Sequence, residues 1–294
     1  VLTAAPYEYL GWGDPPSPTA VMAATGVPDL TLAFILSKGT CSPAWDGTRP
    51  LLGGTDQAAI GAIRSAGGDV DVSFGGWSGN KLGTSCKTPD LLAAAYQKVI
   101  TDYSLKAIDI DIEHHEVSSA ASRKRVVAAL TLVQQNNPGL EISVTFGTGE
   151  TGPNRRDLSL LSDAAAIGFM PTAWTIMPFD FGAPVSDMGA VSAEAAEGLD
   201  AAVASRFHES DAAAYTQIGI SSMNGDTDES DETVSVADFQ SMLSFAQTHH
   251  LARFTFWSVN RDRPCTQNDT SSDSCSGIDQ QADAFTDIVA QFHG

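Results

Sequence analysis

The chain has 294 residues and a formal net charge of −20, from 36 acidic and 16 basic residues. A surface this acidic repels nucleic acid and anionic membranes, so we expect neither as a partner. No apolar run is long enough to span a bilayer, and the hydrophobic content of 43% suits a globular protein with a large core. The length fits one α/β barrel, and we expect a monomer with a single domain over residues 1–294.

Short segments with strand character alternate with longer helical patterns along the chain. The predicted strands are 7–12, 29–37, 69–76, 106–113, 140–147, 173–182, 215–223 and 252–260. The predicted helices are 56–68, 88–103, 122–139, 192–209, 236–250 and 278–294, the second with Thr88 as its N-cap. Eight strands alternating with helices predict a single (β/α)8 TIM barrel. An open doubly wound sheet is the alternative, but no glycine-rich phosphate-binding loop follows the first strand.

The four cysteines form no CxxC pair and show no zinc-like spacing with histidine. Cys265 and Cys275 bound one polar stretch, which we expect a disulfide to close, and Cys41 and Cys86 are left to pair. Four free, buried thiols are the alternative. Two disulfides indicate an oxidising compartment, so we expect a secreted, extracellular protein whose signal peptide has been removed.

The segment KAIDIDIE places three acids, Asp109, Asp111 and Glu113, at alternate positions. Side chains of a strand alternate between two faces, so the isoleucines would pack beneath the helices and the acids would point into the barrel. Buried carboxyl groups placed this closely raise one another's pKa values. Glu113, nearest the open end, is then suited to donate a proton near neutral pH.

Two other interpretations of these acids stay open. An acidic stripe on an exposed edge strand would require a sheet with an unusually acidic outer face. Three inward carboxylates, followed by His114 and His115, could instead hold magnesium, calcium or manganese. We favour acid–base chemistry and expect no metal and no cofactor.

Three further motifs accompany the acidic strand: Ser-x-Gly-Gly ending the third strand, a Met and an Asp near the end of the sixth, and a Trp ending the eighth. They consist of Ser73, Gly75, Gly76, Met177, Asp180 and Trp257. Together with the acids they resemble glycoside hydrolase family 18 chitinases, whose fourth strand carries Asp-x-x-Asp-x-Asp-x-Glu. The first acid of that signature is replaced by Lys106, which we place at the buried start of the strand. The runs WSVNRDRPC and DMGAVSAEAAEGLD look like those of secreted, actinobacterial-type members.

The resemblance implies substrate-assisted, retaining hydrolysis of β-1,4 bonds between N-acetylglucosamine units, through an oxazolinium ion. Glu113 would protonate the glycosidic oxygen, Asp111 would orient the acetamido N–H, and Asp109 would share a proton or hydrogen bond with Asp111. Trp257 would form the floor under the sugar at the cleavage site. Many members have a tyrosine before the strand-six aspartate, but this chain has Phe179, which supplies no hydroxyl group.

Loop tryptophans at the mouth of a barrel can stack on sugars or can fill the core. We expect Trp174 in the core, and for Trp45 and Trp77 both roles stay open. The full set of predicted substrate-binding residues is Trp257, Met177, Asp180, Phe179, Ser73, Gly75, Gly76, Trp77, Trp45 and Met223.

Some members insert an α+β domain before the last strand, whereas residues 224–251 have room for only a loop and one helix. We therefore expect an open cleft, endo action and chitin or N-acetylglucosamine oligosaccharides as partners. An endo-β-N-acetylglucosaminidase acting on N-glycans is one alternative. A non-hydrolytic chitin-binding lectin is another, but such lectins usually lack the acid that Glu113 provides.

Overall fold

The structure is a computed structural model that describes all 294 residues. Its strands are β1 (Tyr7–Tyr9), β2 (Asp29–Lys38), β3 (Ser42–Trp45), β4 (Asp69–Gly75), β5 (Ala107–Asp111), β6 (Glu141–Gly147), β7 (Ala173–Met177), β8 (Ile218–Met223), β9 (Gly225–Asp226), β10 (Thr233–Val234) and β11 (Arg253–Trp257). Its helices are α1 (Pro18–Thr25), α2 (Thr55–Ser65), α3 (Leu82–Ser85), α4 (Pro89–Tyr103), α5 (His114–Ser118), α6 (Ala120–Asn136), α7 (Arg155–Ile167), α8 (Met188–Phe207), α9 (Asp211–Tyr215), α10 (Val236–His249) and α11 (Ala284–Val289).

Eight strands form one parallel sheet in the order β1-β2-β4-β5-β6-β7-β8-β11, and β3 adds to β2 as an antiparallel hairpin. The first and last strands meet through the residues before β1. There the Phe254 N–H donates to the Thr3 carbonyl at 2.9 Å, and the Thr255 hydroxyl donates to the Ala5 carbonyl at 2.7 Å. The sheet is therefore a nearly closed (β/α)8 barrel, which confirms the predicted fold class.

The alternation on β5 divides its residues as predicted. Ile108, Ile110 and Ile112 are buried in the main hydrophobic core beneath the helices. The opposite face of β5 meets a polar barrel interior, built from buried inward-facing residues of the other strands. These are Tyr7, Thr31, Asp71, Ser73, Ser143, Thr145, Thr175, Arg253 and Thr255. The interior is thus a hydrogen-bonded network, into which a carboxylate of β5 can project.

The structure adds five helices that the sequence patterns did not predict: α1, α7 and the short α3, α5 and α9. A signal for α7 is present, because Leu160, Leu161 and Ala164 lie on one buried face and Gly168 ends the helix in the left-handed conformation (φ 72°). The predicted N-cap of α4 is confirmed, since the Thr88 side chain accepts from the Leu91 N–H at 3.2 Å.

Two expectations are wrong, one for the burial of Lys106 and one for the segment before the last strand. Lys106 is exposed rather than buried, and it pairs with Asp69 at 3.3 Å at the amino-terminal end of the barrel. The segment before the last strand holds the short β9–β10 hairpin as well as α10, so it is more than a loop and one helix. No α+β domain is inserted there.

Both predicted disulfides are confirmed. One joins Cys41, in the turn between β2 and β3, to Cys86 at the end of α3, and the other closes the loop from Cys265 to Cys275. No cysteine is free. No helix combines the length and the apolar character needed to cross a bilayer.

Candidate active site

Asp109 is the deepest acid of the β5 row, and it is completely buried. Its Oδ2 accepts from the hydroxyls of Tyr7 at 2.7 Å and Ser73 at 2.6 Å. Its Oδ1 accepts from the Thr145 hydroxyl at 2.6 Å and from the Arg253 Nη1 at 2.9 Å. A carboxylate offers about four lone-pair sites, so these four donors saturate Asp109. The expected sharing of a proton between Asp109 and Asp111 is therefore not favoured by the hydrogen-bond geometry.

Arg253 is the cation at the centre of this network, and its side chain is fully buried. Besides Asp109, its guanidinium pairs with Asp71 at 3.3 Å and donates to the Thr31 hydroxyl at 3.1 Å. Burial of Asp71, only partly offset by Arg253, raises the pKa of that carboxyl to about 7. One guanidinium thus neutralises part of the negative charge that β4 and β5 bring into the interior.

Asp111 and Glu113 form a second, separate pair nearer the mouth. Burial, followed by the charges of Glu113 and Asp109, raises the pKa of Asp111 well above its usual range. The interaction between the two carboxyl groups raises the pKa of Asp111 further. Burial raises the pKa of Glu113 as well, and the interaction with Asp111 partly offsets that rise. Two buried carboxyl groups in contact are therefore suited to share one proton. The Oδ1 atom of Asp111 is buried and has no hydrogen-bond partner.

Lys81 and Arg156 supply positive charge around the Glu113 carboxyl, and both lower its pKa. Lys81 is buried, and its ammonium donates to the carbonyls of Gly76 and Ser78, which fixes the loop that follows β4. The ammonium also faces Glu116, whose Oε2 accepts the Gly83 N–H at 3.1 Å. The sequence motifs did not identify Lys81, because it follows the glycine motif in a stretch with no strand or helix pattern.

The glycines at the end of β4 allow the chain to approach β5 at the level of Asp111. A Cβ on Gly75 would lie 2.2 Å from the Asp111 carbonyl, and Gly75 has φ +103°. The Gly76 N–H donates to that carbonyl at 2.9 Å, and a Cβ there would meet the Phe34 ring at 2.7 Å. The two glycines predicted as substrate-binding therefore have a packing role that positions Asp111.

Aromatic rings form the floor beside the acid pair. Trp257, at the end of β11, stacks on Phe34 with ring centres 5.4 Å apart and an interplanar angle of 7°. Tyr7 packs against Trp257 at 5.9 Å, and Met223 lies next to Trp257 in the register between β8 and β11. A half-buried indole face in a cleft can carry the apolar face of a pyranose ring.

Two other tryptophans line the mouth with most of their surface exposed. Trp77 is 66% exposed and packs on the His114 ring at 3.5 Å, directly after Glu113. Trp12, in the loop after β1, is 55% exposed and packs on Tyr9 at 4.2 Å. For Trp77 the structure favours the subsite role over the core role.

The end of β7 and the loop after it carry Met177, Phe179 and Asp180 to the mouth of the barrel. Asp180 is exposed as a residue, but partial burial of its carboxyl group, then the charges of Asp228 and Glu232, raise its pKa to about 7. Its backbone adopts the left-handed conformation with φ 56°. Glu232 reaches this loop from the β9–β10 hairpin and accepts hydrogen bonds from it.

Neither Tyr7 nor Tyr215 takes the place of the hydroxyl that Phe179 lacks. The Tyr7 hydroxyl is committed to Asp109, and Tyr9 faces Asp46 and Arg49. Tyr215 lies outside the barrel on α9, where it packs against Phe245 and His249.

Two predicted substrate contacts are wrong. Trp45 is fully buried in the core, where its Nε1 donates to the Tyr103 hydroxyl at 3.3 Å, because the β3 hairpin folds it under the barrel wall. Ser73 is also fully buried and serves as a donor to Asp109. Trp174 is in the core, as expected.

The structure brings in functional neighbours that the motifs did not identify, chiefly Arg253, Lys81 and Glu232. A signal for Arg253 was available, because it shares the alternating face of its strand with Thr255 and Trp257. No group of three or more His, Cys, Asp or Glu side chains is arranged to hold a metal ion.

The chain is similar in sequence to proteins that carry chitinase names. It is 30% identical over 306 residues to a probable bifunctional chitinase/lysozyme of Escherichia coli strain K12, covering 98% of the chain and 34% of that protein. It is 29% identical over 288 residues to Endochitinase 11 of Metarhizium anisopliae, covering 91% of the chain and 54% of that protein. The chain therefore spans only part of the length of these relatives. A scan against models of protein families finds no match.

Solved structures share the whole barrel. The catalytic domain of a hyperthermophilic chitinase from Pyrococcus furiosus matches with a TM-score of 0.87 at 27% identity, covering 98% of this chain and 93% of that one. The chain belongs to glycoside hydrolase family 18. A family 18 chitinase from Pseudoalteromonas aurantia shares the fold, with a TM-score of 0.62 at 14% identity over 86% of this chain and 93% of that one. Catalytic-site mutants of the Pyrococcus domain have been solved with chito-oligosaccharides.

Replacing Lys81 tests the electrostatics of this family 18 site. Glu113 must be protonated to act as an acid, so activity falls as the pH rises through its pKa. Removal of a cation that lowers this pKa should move the alkaline limb of kcat/KM in Lys81→Met to higher pH. The exposed Lys87, changed to Met, is the matched control and should keep the wild-type limb. If the alkaline limb of Lys81→Met is unchanged or lies at lower pH, Lys81 does not lower the pKa of the catalytic acid.

Proposed function

We propose that the chain hydrolyses β-1,4 bonds between N-acetylglucosamine units of chitin by a substrate-assisted, retaining mechanism. The observation that carries the proposal is the Asp111–Glu113 pair at the carboxyl end of β5, beside the Trp257 floor. The chitinase relatives, and the Pyrococcus domain that accepts chito-oligosaccharides, support the same substrate class.

In the first step the proton that Asp111 shares with Glu113 passes to Glu113, which donates it to the glycosidic oxygen as the bond to the anomeric carbon breaks. The carbonyl oxygen of the sugar's own acetamido group attacks that carbon and forms an oxazolinium ion. The Asp111 carboxylate left by this proton transfer is suited to accept the acetamido N–H and to offset the positive charge. Glu113, now a carboxylate, takes a proton from the incoming water, which opens the ring with retained configuration.

Asp109 has a supporting role in this scheme. Because four donors saturate it, Asp109 acts as a fixed negative charge beneath Asp111 rather than as a partner for its proton. That charge favours the protonated form of Asp111, whose proton is then directed to Glu113. Substrate contacts are proposed for the side chains at the mouth, which are Trp257, Met177, Phe179, Asp180, Trp77 and Trp12. Met223, also predicted as a contact, is only 3% exposed and lies beside Trp257.

Changing Glu113 to Gln keeps the shape of the side chain and removes the acid. Loss of the proton donor should reduce hydrolysis of an N-acetylglucosamine oligosaccharide by ~10²–10⁴-fold. Glu194→Gln removes the same charge from the exposed face of α8 and should leave the rate unchanged. Near-normal activity of the Glu113 variant would rule out the mechanism.

We also propose internal cleavage, because the segment before β11 adds only a short hairpin and one helix beside the cleft. An open cleft lets a polymer bind anywhere along its length, so each early cut should shorten the chains strongly. The viscosity of a soluble chitin derivative should therefore fall fast relative to the release of reducing ends. Slow loss of viscosity, as with an enzyme that works from chain ends, would contradict the proposal.

Two other functions are separable by assay. An endo-β-N-acetylglucosaminidase would act on a glycoprotein in preference to chitin oligosaccharides, and a lectin would bind them without turnover. Hydrolysis that persists in a chelator would exclude a metal-dependent enzyme. Chitin is an extracellular polymer, and the two disulfides agree with our proposal of a secreted protein.

A further inference from the structure

Glu232 is an acid whose carboxylate is turned inward from a loop of exposed acids. The loop from Asp226 to Thr233 bounds a polar cavity of about 480 Å³ at the mouth of the barrel. Its neighbours Asp228, Glu229 and Asp231 are exposed, whereas Glu232 is only 3% exposed. A buried carboxylate is costly unless hydrogen bonds compensate for its lost hydration, so its partners indicate what it holds.

Those partners are two consecutive backbone amides of the loop after β7. The Asp180 N–H donates to Glu232 Oε1 at 2.6 Å, and the Phe181 N–H donates to Oε2 at 3.1 Å. The Thr227 hydroxyl donates to Oε1 at 2.8 Å and fixes the carboxylate from its own hairpin. One side chain therefore joins two loops that approach the cleft from different strands, β7 and β8.

The backbone held by Glu232 includes a residue in the left-handed conformation. Asp180 is in the left-handed region, which non-glycine residues adopt rarely and at a cost unless their surroundings hold them there. Bonds from amides to an ionised carboxylate are among the stronger hydrogen bonds in proteins. The pair of bonds to Glu232 is thus suited to fix the direction in which the Asp180 side chain leaves the backbone.

We propose that Glu232 is a positioning residue, which holds Asp180 in the orientation that contacts the sugar at the cleavage site. The proposal rests on the proposed chitinase function, because Asp180 has a substrate to contact only if that function is correct. Glu232 itself touches no reacting atom, and its effect passes through the Asp180 backbone. Replacing Glu232 should therefore reduce activity only as long as the Asp180 carboxyl group is present.

A double-mutant cycle separates this role from a general structural one. Glu232→Gln keeps the volume but offers an amide group to one of the two N–H donors, so kcat/KM on a chito-oligosaccharide should fall roughly tenfold. In an Asp180→Asn background the same change should cost no more than about twofold, because residues acting through one another are not additive. Glu229→Gln removes an equal charge from the same loop without touching the amides, and should stay within about twofold of wild type.

Thermal unfolding of each variant identifies any loss of folded protein. If Glu232→Gln does not fold, Thr227→Val loosens the same carboxylate, and its smaller loss should likewise vanish in the Asp180→Asn background. Equal losses of kcat/KM in both backgrounds, or no loss in either, would show that Glu232 does not position Asp180, while leaving the chitinase function intact. An inactive wild-type protein would instead overturn both the proposed function and the positioning role of Glu232.

Discussion

The buried guanidinium of Arg253 is the interaction on which the barrel interior depends. It pairs with Asp109 and Asp71 in a region without water-exposed surface, where unpaired carboxylates would be strongly unfavourable. Breaking such a buried pair by removing one partner typically costs about 3–5 kcal/mol. The cation therefore permits three strands, β4, β5 and β11, to direct charged side chains at one another and still close into a barrel.

This charge balance also divides the acids of β5 into groups with different chemistry. Asp109, at the level of Arg253, has all its hydrogen-bonding capacity in use and serves as a fixed charge. Asp111 and Glu113 lie above the reach of the guanidinium, where burial and mutual repulsion favour a shared proton. In the proposed mechanism, the three similar carboxyl groups of β5 and the residues directly after it thus provide one support, one partner for the acetamido group and one general acid.

Much of this arrangement was predictable because alternation along a strand is a local property. The two faces of β5 follow from the two-residue repeat of a strand. The barrel, and the position of Trp257 at the end of its last strand, follow from the alternating order of strands and helices. Features that depend on the approach of distant segments were not predictable. Trp45 looked like a loop residue, but a hairpin that folds back on β2 buries it.

The same reason explains the functional residues that were missed. Lys81 acquires its role only when the loop after β4 folds over Glu113, and Glu232 only when the β9–β10 hairpin meets the loop after β7. Neither has a motif, since each acts on a partner on another strand. Asp109 was identified, but its saturation by donors from four other strands could not be counted from the sequence.

The central claim is that the shared proton belongs to Asp111 and Glu113, with Asp109 excluded from it. Neutron diffraction from a crystal exchanged into heavy water near neutral pH would locate that proton directly as deuterium. We expect deuterium between Asp111 and Glu113, and an Asp109 carboxylate that carries none and accepts four donors. Deuterium shared between Asp109 and Asp111 would contradict the account.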